Sequence, residues 1–386
     1  MNLKIGIITY HRAKNLGAML QSYALQKTLE KYKGECEIVD YRNEKMEESY
    51  KLKKTRECRT LKEKIKNILF MKKSKAFEKV RKEFNEKVQT LSAKEYNKRN
   101  IIEANNDYDL FITGSDQVWN LKLNYGDENY FLDFVIDDKK KNSYAASFGT
   151  NKMDEEQKAK IYKQLNKFNK ISVREEEGKK FIEEITGKNS ELVLDPTLLL
   201  NKYEWENIIS NERIEKGKYI FVYIIAYTPT LLEFARKLGK EKKCKVICFH
   251  TSYQKYRGMK NLTKVSPQDF LNYIKNAEAI VTSSFHGMCF SINLQKEFYY
   301  ELDENKVNNN SRLKTLAATL NLEDRRIVNG KCTNNTIDYN EVTKRLDAER
   351  KRSIRFIEEL GEENGWENIN YSTNLQCGKM ARKMCK

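Results

Sequence analysis

The sequence predicts an α/β protein built from two Rossmann-like units that face each other across a cleft. Three observations carry that expectation. Short, almost wholly apolar strand patterns alternate with helical ones, which is how parallel strands buried on both faces read. The alternation stops in a polar, charged stretch at 201–218 and then starts again. At 386 residues the chain is also too long for one ordinary core. The expected bounds are a first unit over 1–205, a second over 215–335, and a closing helix with a basic tail over 336–386.

In the first unit, residues 4–10 read as a strand, 18–32 as a helix and 36–41 as a second strand. A lysine-rich insert follows at about 44–99. Its apolar residues Leu61, Ile65, Ile68 and Leu69, then Phe77, Val80, Phe84 and Val88, recur at spacings of three and four, which predicts amphipathic helices. Further strands are expected at 108–113, 141–147, 171–173 and 192–194, with helices at 155–168 and 175–185. The second unit repeats the order, with strands at 219–226, 245–249, 279–281 and 297–300 and helices at 231–238, 267–275 and after His286. Ser266 ahead of Pro267 is an N-cap pattern. A charged helix over 340–363 closes the folded part.

Composition narrows the class. Hydrophobic residues at 39% with 11% aromatics can fill two cores, and three prolines with 16 glycines exclude a collagen-like or disordered chain. No apolar run approaches the roughly 18 residues that span a bilayer. The first ten residues form a polar-flanked strand pattern rather than a signal peptide, so a cytoplasmic protein is expected. Eight cysteines occur without a Cys-x-x-Cys pair; Cys244 and Cys248 fall on one strand face and read as reduced, apolar residues rather than zinc ligands. Net charge is +17, and the stretch from Arg42 to Arg99 holds 20 basic against nine acidic side chains. A solvated helical hairpin, a patch for anionic lipid and a nucleic-acid surface are the three readings of that insert. The lack of a nucleic-acid module makes the last the weakest.

His286 is one of only three histidines and lies in Ser283-Ser284-Phe285-His286-Gly287, between a buried strand pattern and a helix start. That is the carboxyl end of a parallel sheet, where open α/β folds bind ligands, and histidine suits proton transfer near neutral pH. A helix-start histidine satisfied by a backbone carbonyl is the alternative. Four other strand-end loops carry chemistry. His11-Arg12-Ala13-Lys14-Asn15-Leu16-Gly17 joins a strand to a helix whose N-terminus can face an anion, with solvated charges as the alternative. In Gly114-Ser115-Asp116-Gln117-Val118-Trp119, a carboxylate, an amide and an indole suit a sugar, with helix capping as the alternative. Small residues in Ser143-Tyr144-Ala145-Ala146-Ser147-Phe148-Gly149 allow close ligand approach. Arg174 ends a strand and matches a carboxylate or phosphate bidentately, against a salt bridge to one of Glu175–Glu177. Arg312 lies between the last strand and the next helix as a further anion contact.

These residues resemble the polysaccharide pyruvyl transferase family. The stretches that match are Asn15-Leu16-Gly17-Ala18-Met19-Leu20-Gln21, 111–120, 143–149, Ile171-Ser172-Val173-Arg174-Glu175, Leu194-Asp195-Pro196-Thr197 and 283–287, in the family's order over roughly 3–330. The resemblance implies a fold like the B-type glycosyltransferases. It also implies transfer of a pyruvyl group from phosphoenolpyruvate, the co-substrate, onto two hydroxyls of a sugar, with no metal and no further cofactor. The acceptor implied is a cell-surface glycan or its lipid-linked precursor. His286 matches the family's histidine as general acid, with Arg174 at its side. Asn15, Gly17, Ser283, Ser284 and Arg312 are the implied donor-binding residues, and Asp116, Gln117 and Trp119 the acceptor-binding ones.

One departure stands out. Members associated with sugar pyruvylation often carry an arginine two residues before the histidine, where this chain has Ser284, which brings no charge. Arg174, Arg12 or Arg312 is then left to supply it. A group transferase using a nucleotide-sugar donor and a non-catalytic member of a glycan assembly complex are the competing readings. The basic insert fits an enzyme held peripherally at the inner membrane face.

Overall fold

The computed structural model describes residues 3–49, 60–150, 152–225, 228–250, 255–262, 264–303, 310–333 and 336–362. The basic tail at 371–386, the lysines at 51–54, and Cys58, Cys377 and Cys385 lie outside the described residues. Seven strands form the first sheet: β1 (Leu3–Ile8), β2 (Gly34–Tyr41), β3 (Leu91–Tyr96), β4 (Leu110–Asp116), β5 (Lys141–Ala146), β6 (Ser172–Val173) and β7 (Glu191–Leu192). Their order is β3-β2-β1-β4-β5-β6-β7. The second sheet holds β8 (Tyr219–Ile224), β9 (Lys245–His250), β10 (Lys260–Leu262), β11 (Ala279–Thr282) and β12 (Phe298–Tyr300), in the order β10-β9-β8-β11-β12.

All the strand pairs are parallel. Each sheet therefore has one switch point, β1/β4 in the first and β8/β11 in the second, where successive connections leave in opposite directions and open a crevice. The expected α/β class with two parallel sheets is the one observed.

Helix α1 (Leu16–Tyr32) explains how the units join. It is buried nearly all round, because it packs on the first sheet and also against α8 (Pro267–Asn276) of the second unit. Its buried polar residues are paired: the Gln21 amide donates to Thr9 Oγ1 at 2.8 Å, and the Gln26 amide to the carbonyls of Cys36 and Thr90 at 2.9 and 3.0 Å. The apolar core runs continuously from Met19 and Leu20 of this helix through Trp205 to Phe270 and Phe290 of the second unit.

The insert differs from the expected run of helices. After α2 (Glu44–Ser49) and α3 (Leu61–Val88), the chain re-enters the first sheet as its edge strand β3. Phe84 packs in the core with Phe77 and Val88 against it, whereas Leu61, Ile65 and Ile68 are exposed; the side chain of Leu69 lies outside those described.

The polar stretch at 201–218 is not a plain linker either. The short helix α6 (Lys202–Glu206) buries Trp205, whose indole N–H donates to the Thr197 carbonyl at 3.0 Å. The helices α4 (Glu155–Leu165), α5 (Glu176–Thr186), α7 (Pro229–Glu241), α9 (Phe285–Asn293) and α10 (Ser311–Leu320) lie close to where the sequence predicts them. Strand β10 has no counterpart among the expected elements.

The closing helix α11 (Tyr339–Glu358) returns to the first unit, with Arg350 donating to the Leu198 carbonyl at 2.6 Å and Ser353 Oγ accepting from Leu194 N at 3.0 Å. Because Trp205 sits fully buried between the units, Trp205→Ala is expected to cost about 3–5 kcal/mol in urea unfolding. A loss near zero would contradict its place in the shared core.

Candidate active site

The two switch points face one cavity of ≈ 420 Å³. Lys14 and Asn15 after β1, Asp116 at the end of β4, Ile225 after β8, and Ser283 with His286 after β11 all line it, so both crevices open into the same space. Asn310 and Arg312, at the start of α10, complete the wall.

His286 is held by its own turn. Thr282 Oγ1 donates to the Tyr223 carbonyl at 2.6 Å and accepts from Ser284 N at 3.0 Å, which fixes the chain at the end of β11. Ser284 then caps α9, its Oγ accepting from Gly287 N at 3.3 Å. This places His286 in the first turn, with its ring laid over Gly17. A Cβ at residue 17 would lie 2.1 Å from His286 Nδ1, so glycine is required there. His286 is 4% exposed, and its Nε2 has no hydrogen-bond partner among the described residues. Its Nε2 lies 3.8 Å from Asp195 Oδ2.

Asp195 is the centre of the charge network. Arg174 Nη1 donates to its Oδ2 at 2.6 Å, while Thr197 contributes its hydroxyl and backbone N–H to Oδ1 at 2.7 and 3.0 Å. The second terminal nitrogen of Arg174 donates to Asp116 Oδ1 at 3.2 Å. The guanidinium lies 4.7 Å from the centre of the Phe285 ring, and that of Arg312 lies 5.7 Å from the same ring. Glu175, the alternative partner, is 4.0 Å from Arg174 Nε and accepts instead from Ser147 Oγ at 2.6 Å.

Burial opposes every charge here; the partners outweigh it at Asp195 and Asp116, and burial prevails at His286, Glu175 and Arg312. For Asp195, burial is outweighed by Arg174, His286 and the bonds from Thr197 and Arg174, so the carboxyl stays below the usual range. Asp116 is likewise held low against burial by Arg174, His286 and Arg312. His286 is pulled below its ordinary value by burial, which the nearby Asp195 and Asp116 only partly offset. Burial raises Glu175, against the pull of Arg174 and Arg312. Burial and the nearby Arg174 lower Arg312, which has no ion-pair partner among the described residues.

The structure brings His286, Ser283, Arg312, Asn15, Asp116 and Gln117 to the cavity wall. It gives the other expected site residues different work. Trp119 cannot offer a flat face to a sugar: it is buried, stacked on Phe131 at 5.7 Å, with its indole N–H on the Tyr130 carbonyl at 3.2 Å. Arg174 stands behind the wall with both terminal nitrogens committed to carboxylates, rather than open to a donor. Gly17 makes room for the histidine, and Ser284 is a buried cap.

Arg12 is bound to Asp40 and Glu47, which removes it as a substitute for the missing arginine. Of the stretch at 143–149, residues 143–146 lie in strand β5, where Ser143 and Ser172 exchange hydrogen bonds at 3.0–3.1 Å. Asp195 and Phe285, which contact Arg174, are the residues of the candidate site that sequence reasoning leaves out. Asp195 does fall in a stretch that matches the family, but Asp-Pro-Thr reads equally as a turn.

Two Rossmann-like units that aim both switch points at one cavity define a two-unit α/β protein with a candidate site where such folds bind ligands. The chain belongs to the polysaccharide pyruvyl transferase family, whose model, Polysaccharide pyruvyl transferase, matches residues 15–300, and it is therefore a transferase. No curated protein matches it. Among solved structures it is similar to UDP-GlcNAc 2-epimerase of Methanocaldococcus jannaschii in complex with UDP-GlcNAc and UDP. There the TM-score is 0.43 and identity 13%, over 100% of this chain and 99% of that one. It is also similar to Escherichia coli ADP-heptose LPS heptosyltransferase II, at TM-score 0.32 and 12% identity over 91% and 99%. Likeness of this degree carries no information on activity.

The charge network sets a pH dependence. Folded His286, Asp116 and Asp195 all hold protons less readily than they do in the unfolded chain. Their stabilisation is therefore complete above about pH 6.5, the ordinary histidine value, and is lost as pH falls through the lowered folded values. Thermal unfolding is expected to show Tm falling with acidification, and His286→Asn is expected to flatten the portion just below about pH 6.5. Identical slopes in the two proteins would contradict the assignment.

Proposed function

We propose that the protein transfers the pyruvyl group of phosphoenolpyruvate to a pair of hydroxyls on a sugar. The observation that carries this reading is a cavity wall holding both a buried histidine, whose Nε2 makes no hydrogen bond among the described residues, and an arginine, Arg312, that has no ion pair there and whose Nε has no hydrogen-bond partner. The first suits proton transfer and the second an anion. Asn310 makes no side-chain cap bond to α10, so the first turn of that helix adds its N–H groups to the charge of Arg312.

The chemistry divides among these residues. The enol carbon of the donor becomes electrophilic only when the methylene gains a proton, which His286 gives. The methylene becomes a methyl group, and one sugar hydroxyl oxygen bonds to the adjacent carbon. The bond from that carbon to the phosphate oxygen then breaks, phosphate leaves, and the second hydroxyl closes the ketal. The two hydroxyl protons pass to the now neutral histidine and to the phosphate. Nothing is oxidised or reduced.

Asp195 and Asp116 favour the protonated ring electrostatically, against its burial. An anionic donor in the cavity adds to their effect. Asp116 and Gln117 face the acceptor hydroxyls as hydrogen-bonding groups. Arg312 takes the place of the charge that Ser284 lacks, and Arg174 is a positioning residue. Among the described residues no helix is long and apolar enough to cross a membrane, and no cluster of three metal-binding side chains occurs. A lipid-linked glycan precursor at the inner membrane face is the acceptor class this reading favours.

Calorimetric titration of phosphoenolpyruvate tests the donor. Saturable binding is expected, weakened about 10- to 100-fold in Arg312→Ala, as loss of a charge-assisted contact implies. His286→Gln should retain that binding and lose about 10²–10⁴ in transfer rate. Absence of binding in the presence of a sugar acceptor would overturn the reading.

A further inference from the structure

Helix α3 has a face that the fold does not use. Counting 100° per residue, Leu61, Ile65, Ile68, Lys75, Lys79 and Lys82 all fall within about 60° of one line along the helix, opposite Phe77, Phe84 and Val88. Phe84 is buried, and Phe77 and Val88 pack on the core, which turns the first set outward. Leu61, Ile65 and Ile68 are 75%, 51% and 50% exposed, and Lys75, Lys79 and Lys82 are exposed as well. The outward side thus reads apolar at its tip and cationic along its stem. The segment from 61 to 75 carries six lysines against Glu63 alone.

The root of this helix stands at the cavity. Burial lowers the pKa of Lys14, on the cavity wall, with Glu78 raising it and Arg81 lowering it, so both residues of α3 lie near that lysine. Met46 and Ser49, from the same insert, line the cavity directly. At 1.5 Å per residue, Leu61 projects about 25 Å from Glu78.

We infer that the amino-terminal half of α3 is an anchor for an anionic bilayer. Leu61, Ile65 and Ile68 enter the boundary between headgroups and acyl chains, and the lysine row lies against the headgroups. A second copy of the chain is disfavoured as occupant, because the lysine rows would repel and three apolar side chains fall well short of the roughly 800 Å² per partner of a stable interface. Nucleic acid would leave the apolar tip without a role. The anchor sets the cavity mouth beside the membrane, where a sugar attached to a lipid is presented. This rests on the transferase reading above for its purpose, but not for its test.

The test is co-sedimentation of the full chain with vesicles of phosphatidylcholine alone, or with roughly one third phosphatidylglycerol, and with neither donor nor acceptor present. Binding to the anionic vesicles is expected to weaken with salt. It should fall about tenfold or more in Leu61→Ser/Ile65→Ser/Ile68→Ser and again in Lys75→Glu/Lys79→Glu/Lys82→Glu. Phosphoenolpyruvate binding should stay unchanged in both variants, which shows that they fold and keeps failure of the anchor separate from failure of the transfer reading. Equal pelleting with neutral vesicles, or binding that neither variant weakens, would overturn the proposal. So would a dimer in free solution that the serine variant dissociates.

Discussion

Arg174 carries the one charge on which the rest of the site depends. A guanidinium taken out of water is tolerated only where paired carboxylates and hydrogen bonds replace its hydration. Here Asp195 and Asp116 do so, from the ends of two different strand connections of the first unit. The second unit then closes over the ion pair through Phe285, whose ring lies against the guanidinium, and the next residue is the histidine. The geometry of the candidate site and the docking of the two units thus share one set of contacts. Deleting Arg174 would leave two buried carboxylates uncompensated, and for this reason the residue is read as a support rather than as a ligand contact.

The position of positive charge follows from the same arrangement. With Ser284 used as a cap and Arg12 bound to Asp40 and Glu47, the guanidinium on the cavity wall comes from α10. Arg312 stays without an ion pair because Asp116 and Asp195 are already committed to Arg174. Its Nε has no hydrogen-bond partner, and burial disfavours its charge. A half-buried cation without an ion pair is a ready partner for an anion that enters the cavity.

Much of this was legible in the sequence, for identifiable reasons. Buried parallel strands such as Tyr219–Ile224 are nearly continuous apolar runs, so both sheets could be read directly. Ligand-facing loops at strand ends follow from topology, which is how His286, Asp116, Asn15 and Arg312 were found. What failed was direction. Periodicity places a residue on a face but does not say what covers that face: along α3, Phe77, Phe84 and Val88 pack on the core while Leu61, Ile65 and Ile68 face solvent. Trp119 looked like a sugar platform and is a core residue. Asp195 was passed over because its partners Arg174, Ser115 and His286 lie 21, 80 and 91 positions away in the chain, and no local pattern encodes such an encounter. Strand β3, at the sheet edge, has the mixed polar pattern of a half-covered strand and was hidden by the charge around it.

The most direct test of the account is a histidine titration by NMR, which is tractable because the chain has only three histidines. The His286 signal, assigned by its loss in His286→Asn, should titrate below the ordinary value of about 6.5 in the free protein and move upward when phosphoenolpyruvate is added. That result would place an anion beside a histidine held ready to carry a proton. A midpoint that phosphoenolpyruvate does not move would mean that no anion binds next to His286, and the central claim would fail.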